Sequence, residues 1–248
     1  MYKIAKIVQI ISYRFIYLSL KFFVRFEVRG QENLTGLENK GVIFASNHAS
    51  YIDGLISAAS MPRRNGEFYP KKFFPVRFLV LDKYFRWKYL LVALYVRING
   101  SIKIFRGGGD LKRSLAGAIT ALRRGEKIWI FPEGKLTRDG KLQQGKRGVA
   151  YLHRETNAPV VPVAINGNFG ILSFKTLLRN RKVVVTIGRQ IRSLDNPGIC
   201  TLEAGSHKVM AAIEELLTNP DSCPQKNNHI ISTGYTSENT DSDAADSQ

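Results

Sequence analysis

From Gly41 onward the chain alternates short β-branched runs with segments of helical period, and this alternation restricts the fold more than any other feature. The apolar runs are Val42–Ser46, Phe78–Leu81, Ile102–Phe105, Ile128–Phe131, Val160–Ile165 and Val183–Ile187. Helical patterns lie at Tyr51–Ser60, Trp87–Val96, Leu111–Arg123 and Lys146–Glu155, with a last helix at Leu202–Leu217. Strands separated by helices pair in parallel, so the pattern predicts an α/β fold, a mostly parallel sheet flanked by helices. No repeat or internal linker divides it, and 248 residues can bury a core without staples. Cys200 and Cys223 are too few for a disulfide framework or a cysteine metal site, and they fit a reducing compartment. His48, His153, His207 and His229 are scattered and make no H-E-x-x-H, so neither a metal nor a redox cofactor is expected.

Charge narrows the partners. The chain carries a net +17, while 219–248 hold five acidic residues against Lys226 alone, so the remainder is more basic than the whole. Such a field attracts nucleic acid, an anionic membrane or a phosphorylated substrate. The tail 219–248, rich in Ser, Thr, Asn and Asp, is expected to be disordered.

Residues 1–29 read as a membrane-interfacial helical segment. No Gly or Pro occurs in 2–29, and Lys3, Lys6, Arg14, Lys21 and Arg25 fall within an arc of roughly 100° on a helix rich in Ile, Leu and Phe. The longest uncharged run, Ile7 to Tyr13, falls short of the ~20 residues that span a bilayer, and no small-residue cleavage site follows it. The expectation is a helix lying in the interface of an anionic phospholipid membrane, on its cytoplasmic face and not crossing it. The alternative is an amphipathic helix docked on the core. Lys71–Arg97 interleaves basic and aromatic residues, but Arg77 to Val96 is too apolar for a solvated RNA platform. It is expected to pack on the core with one membrane-facing side, and no nucleic-acid partner is expected. On this reading 30–218 form one catalytic α/β domain.

In open parallel sheets, ligands sit beyond the carboxyl ends of the strands, so the residues there are the candidates for chemistry. After the first run comes His48, with Asp53 five residues on. A carboxylate on one ring nitrogen fixes the tautomer and leaves the other nitrogen to take a proton, which is a general-base dyad without a nucleophile of its own. No G-x-S-x-G occurs, so the hydroxyl to be activated belongs to a substrate. Arg106 precedes three glycines and Asp110, a natural N-cap, in a setting suited to an anion. The stretch from Gly140 to Arg147 has the outline of a P-loop, with Arg147 where a Mg²⁺-binding Ser or Thr is required, and it does not follow a strand directly.

Four blocks, NHASYID (Asn47–Asp53), GSIKIFR (Gly100–Arg106), FPEG (Phe131–Gly134) and VVPVAI (Val160–Ile165), in this order and spacing, resemble those of the glycerolipid acyltransferases, above all the 1-acyl-sn-glycerol-3-phosphate acyltransferases. The resemblance runs from about Val42 to Ile165 and implies His48 as general base and Asp53 as its orienter. It also implies Arg106, Glu133 and Gly134 on the phosphate side of the acceptor. The third block departs from the family pattern: Lys135, Leu136 and Thr137 stand where Thr-Arg-Ser is usual, and Gly145 replaces an aromatic residue before Lys146. Leu136 thus replaces the arginine expected at phosphate, and Lys135, Arg138 and Lys146 are the cations at hand to replace its charge.

The resemblance implies transfer of a fatty acyl group from an acyl thioester, acyl-CoA or acyl-ACP, to the free hydroxyl of lysophosphatidic acid. The donor brings its own carrier, coenzyme A or acyl carrier protein, and no other cofactor is implied. The alternatives are the same chemistry on glycerol-3-phosphate or a lyso-aminolipid, and a non-enzymatic basic protein that binds lipid or RNA.

Overall fold

The protein is described from a computed structural model over residues 2–63, 66–105, 110–172, 181–194 and 201–219. The tail expected to be disordered lies outside these residues beyond Asn219, and so does Arg106 with the glycines after it.

The elements in chain order are α1 (Tyr2–Phe23), β1 (Arg25–Arg29), β2 (Val42–Ser46), α2 (Asp53–Ala59), β3 (Val76–Leu81), α3 (Leu90–Ile98), β4 (Ile102–Ile104), α4 (Leu111–Arg123), β5 (Lys127–Ile130), α5 (Gly148–Thr156), β6 (Val160–Asn166), β7 (Lys182–Ile187) and α6 (Leu202–Thr218). The seven strands form one sheet in the order β1, β7, β6, β2, β5, β3, β4. Every neighbouring pair is parallel except β6 with β7.

The central strands read as unbroken apolar runs because both faces of the sheet are covered. Along β2, Val42 and Phe44 enter one core while Ile43 and Ala45 enter the other. The first core is closed by Tyr13 and Leu20 of α1 and Ile56 of α2. The second is closed by Leu115 and Leu122 of α4, Leu152 of α5 and Ile213 of α6. At roughly 1.5–3 kcal/mol for each large apolar side chain taken out of water, these two layers supply most of the drive to fold.

The expected helix over 1–29 ends early. Helix α1 stops at Phe23, and β1 pairs with β7 in the register Arg25↔Lys182 to Arg29↔Thr186. The segment 1–29 is therefore not a separate unit: its last five residues are a strand of the sheet. The physical reason is the two-residue alternation of Phe26 and Val28, which serves a strand, while no Gly or Pro marks the change of period after the helix. Arg25, expected on the basic stripe of the helix, stands in that strand.

The face that α1 turns outward is apolar. Ala5, Gln9, Tyr13 and Leu20 are buried, and Ile4, Ile7, Ile11, Phe15, Leu18 and Phe22 are exposed. The helix thus has two apolar stripes, and the cations flank them: the Arg14 guanidinium lies 4.1 Å from the ring centre of Phe68, and Lys21 donates to the carbonyl of Phe26. Gln9 pins the inner stripe to the sheet. Its amide donates to the carbonyls of Val76 and Asn99, at 2.7 and 2.9 Å, and accepts the N–H of Val76 at 2.9 Å.

Lys71–Arg97 divides as expected into a packed part and an outward one. Phe73, Phe74, Val76 and Phe78 are buried, whereas Trp87, Leu90, Leu91 and Leu94 are exposed. No helix among the described residues is long and apolar enough to cross a membrane.

Candidate active site

Strand β2 lies at the centre of the sheet with β5 on one side and β6 on the other, so its carboxyl end faces the crevice where the connections diverge in opposite directions. His48 stands just beyond that end. The chain then turns, and Asp53 opens α2. Nδ1 of His48 lies 3.0 Å from Oδ2 of Asp53, and the same oxygen accepts the backbone N–H groups of Ala49 at 2.7 Å and Ser50 at 2.8 Å. Asp53 is fully buried. A buried carboxylate holding three donors on one oxygen is fixed in place, and its acceptor character makes Nδ1 the protonated nitrogen. Nε2 is thereby left as the basic one.

The imidazole also has a platform. The ring of Phe131, at the end of β5, stacks on it with centroids 4.1 Å apart and planes 16° from parallel. Two residues on, Glu133 turns back toward the same turn: Oε1 accepts the backbone N–H of His48 at 2.7 Å and Oε2 accepts that of Gln143 at 3.0 Å. Glu133 is 1 % exposed, and burial pushes its pKa up against the opposing pull of those two N–H groups. Expected on the phosphate side of an acceptor, it instead has both oxygens engaged by backbone. It joins the His48 turn to the loop that carries Gln143.

His48 opens onto a cleft of about 2070 Å³. One arm is apolar and runs between Ile16 of α1, Leu55 of α2, Phe78 of β3 and Tyr95 of α3. The other is bordered by the loop after β5, where Gly134, Lys135, Arg138 and Lys146 line the same cleft as His48. Gly134 has φ +66°, and a Cβ there would come within 3.0 Å of the Lys146 ammonium, so the glycine lets the lysine lie across the loop. Lys135, Arg138 and Lys146 are exposed, and Leu136, where an arginine was expected, also lines the cleft. The structure thus brings His48, Asp53, Glu133, Gly134, Lys135, Arg138 and Lys146 to one end of the sheet. Phe105, next to the undescribed Arg106, borders the same cleft. Among the described residues no group of three or more His, Cys, Asp or Glu side chains is placed to hold a metal ion.

Three contributors were missed in the sequence. Phe131 belongs to the apolar run Ile128–Phe131 and to FPEG, neither of which marks it as a platform for an imidazole, Gln143 carries no signal because its backbone N–H does the work, and Asn168 lies outside the four blocks. The amide of Asn168 donates to Oδ1 of Asp53 at 2.8 Å. It follows β6 by two residues, which is where strand ends deliver functional groups, so a signal existed.

Residues 25–166, from the first residue of β1 to the last of β6, match the family described as Acyltransferase. The chain is 27% identical over 172 residues to the human 1-acyl-sn-glycerol-3-phosphate acyltransferase beta, covering 68% of this chain and 55% of that protein. It is 24% identical over 193 residues to the chloroplastic 1-acyl-sn-glycerol-3-phosphate acyltransferase LPAT1 of Arabidopsis thaliana, covering 74% and 48%. The chain spans about half the length of these curated relatives. In fold it is similar to the crystal structure of the 1-acyl-sn-glycerophosphate (LPA) acyltransferase PlsC from Thermotoga maritima, with a TM-score of 0.60, 19% identity, and coverage of 88% of this chain and 80% of that one.

Proposed function

The chain belongs to the acyltransferase family, and from that premise we propose that it transfers a fatty acyl group from an acyl thioester to the free hydroxyl of lysophosphatidic acid. The observation that carries this reading is the His48–Asp53 pair, 3.0 Å apart at the mouth of a cleft that is apolar on one side and cationic on the other. His48 Nε2 takes the proton of the acceptor hydroxyl as its oxygen attacks the thioester carbonyl, and Asp53 stabilises the imidazolium that forms. The tetrahedral species collapses with loss of the thiolate, which takes the proton from His48. Acyl passes from sulfur to oxygen and the proton from oxygen to sulfur, so the transfer balances with no metal or redox group.

The acyl chain lies in the apolar arm between α1, α3 and β3. Lys135, Arg138 and Lys146 attract the acceptor's phosphate, and Glu133 keeps the His48 turn in register with their loop. The exposed apolar stripes of α1 and α3 set this arm against an anionic membrane, on its cytoplasmic face, which gives a lipid substrate a dry route to His48. Acyl-CoA and acyl-ACP both supply the thioester. Leu136 favours a second reading in which the acceptor is a lyso-aminolipid, which presents no phosphate monoester, because one cation of the usual phosphate clamp is missing there; glycerol-3-phosphate is the other acceptor to compare.

The test is incubation of the purified full-length chain with labelled acyl-CoA or acyl-ACP and a panel of these acceptors. The expected result is preferential labelling of lysophosphatidic acid, with turnover lowered about 10²–10⁴-fold by His48→Ala in a protein that still folds. Transfer to none of the acceptors, or more than a tenth of the wild-type rate in His48→Ala, overturns the reading.

A further inference from the structure

Resting on that reading, we infer that Asn168 is a positioning residue of the same machinery: it holds Asp53, and through Asp53 the imidazole of His48. A buried carboxylate needs donors for both of its oxygens. Every bond to Oδ2 comes from the turn that contains the dyad, from Nδ1 of His48 and the N–H groups of Ala49 and Ser50. Oδ1 is different. Its donor among the described residues is Nδ2 of Asn168, 115 positions further along the chain. Because a carboxylate oxygen there can only accept, the amide must present its NH₂ group, which fixes which way the side chain points.

The location of Asn168 is built by its surroundings. Gly167 has φ +79°, and a Cβ there would collide with the carbonyl of Lys182, so only glycine lets the chain bend beside β7 at this point. The N–H of Ile171 closes the turn on the carbonyl of Asn168 at 3.2 Å. One turn away in space, Asn47 pairs its amide with both backbone groups of Ile165, at 3.0 and 2.8 Å, and so ties the end of β6 to the residue before His48. Asn168 is 3 % exposed and does not border the cleft. It acts on the reaction only through Asp53. Without it, Oδ1 is left buried with no donor among the described residues, and the carboxylate is held from one side only, by the three donors on Oδ2.

Three measurements on the purified full-length chain test this. Asn168→Leu, similar in volume, leaves Oδ1 buried without a donor. Its kcat is expected to fall about 10- to 150-fold with the KM of each substrate within about threefold, the range for losing a hydrogen bond to a charged group that acts on the transition state alone. Asn168→Asp, nearly isosteric, sets two carboxylates face to face, and they hold together only while they share a proton. Its activity relative to wild type is therefore expected to fall steeply as pH rises, whereas a merely structural loss scales the wild-type profile by a constant. The proton on Nδ1 of His48, observed by NMR, is expected to move or vanish in Asn168→Leu. A kcat within about twofold of wild type for Asn168→Leu, a parallel pH profile for Asn168→Asp, or an unchanged ring resonance overturns the inference. If Asn168→Leu does not fold, Asn168→Asp decides through its pH profile. A wild-type protein inactive toward every thioester and acceptor removes the acyl-transfer reading instead, and the ring resonance then decides the role of Asn168.

Discussion

Oε1 of Glu133 accepts the backbone N–H of His48 at 2.7 Å, so the acid of one sequence block holds the main chain of another rather than any side chain. Glu133→Ala leaves the N–H groups of His48 and Gln143 without an acceptor. At about 1–3 kcal/mol for each orphaned buried donor, the variant should unfold at clearly lower urea concentration. Its loss of activity should appear in kcat. A raised KM for the acceptor at unchanged kcat and stability would instead make Glu133 a ligand of the substrate.

Gln9 is the polar rivet between α1 and the sheet. Gln9→Leu removes one acceptor and two donated bonds from the backbone of Val76 and Asn99. A destabilisation of about 2–4 kcal/mol is expected, measured by chemical denaturation without lipid. A chain lacking residues 2–23 but unfolding at the wild-type midpoint would show that α1 is dispensable to the fold.

Membrane attachment is tested on the outer stripe alone. Ile7→Ser, Ile11→Ser and Phe15→Ser together change three exposed side chains and no core contact, so the melting temperature should hold. Burial of each in the interface is worth up to about 1.5–3 kcal/mol, and the triple variant should bind anionic liposomes at least about 10²-fold more weakly. Wild-type binding should weaken with salt without vanishing, because the lysines and arginines are screened and the apolar stripe is not. Equal flotation of variant and wild type would move the attachment elsewhere.

Lys127 predicts a pH dependence far from the cleft. Its ammonium donates to the carbonyls of Glu38 and Gly125, and burial pushes its pKa from 10.5 down to about 8. Between those values the folded protein holds a neutral amine and the unfolded chain an ammonium. Stability from this group therefore rises as pH climbs from 8 toward 10.5, and it is lost again as pH falls through 8. Compared with Lys127→Met, the wild type should gain a few kcal/mol at most over that window. Urea midpoints of the two proteins at pH 7.5 and 10 measure the difference, and parallel shifts would mean that Lys127 keeps its proton.

The sheet was legible because its central strands are buried on both faces and read as continuous apolar runs: β2 begins and ends where the run Val42–Ser46 does, and α4 where the period over Leu111–Arg123 does. The dyad was legible because His48 and Asp53 are neighbours in sequence. What escaped is long-range. β1 borrows its order from β7, Glu133 acts on a backbone group 85 residues away, and Asn168 reaches Asp53 across 115. Only the three-dimensional path assigns these partners, since no local period or spacing encodes them. The outer stripe of α1 was legible as apolar, but which stripe faced the core depended on Gln9, a polar residue buried at 3 % exposure by bonds that composition does not reveal.

The pairing of β1 with β7 has a consequence for synthesis. The first strand of the sheet waits for one that begins at Lys182. While the intervening chain is being made, β1 has no partner strand. Closing a contact over so long a loop is slow. The β1 edge is therefore the last seam of the sheet to be sewn.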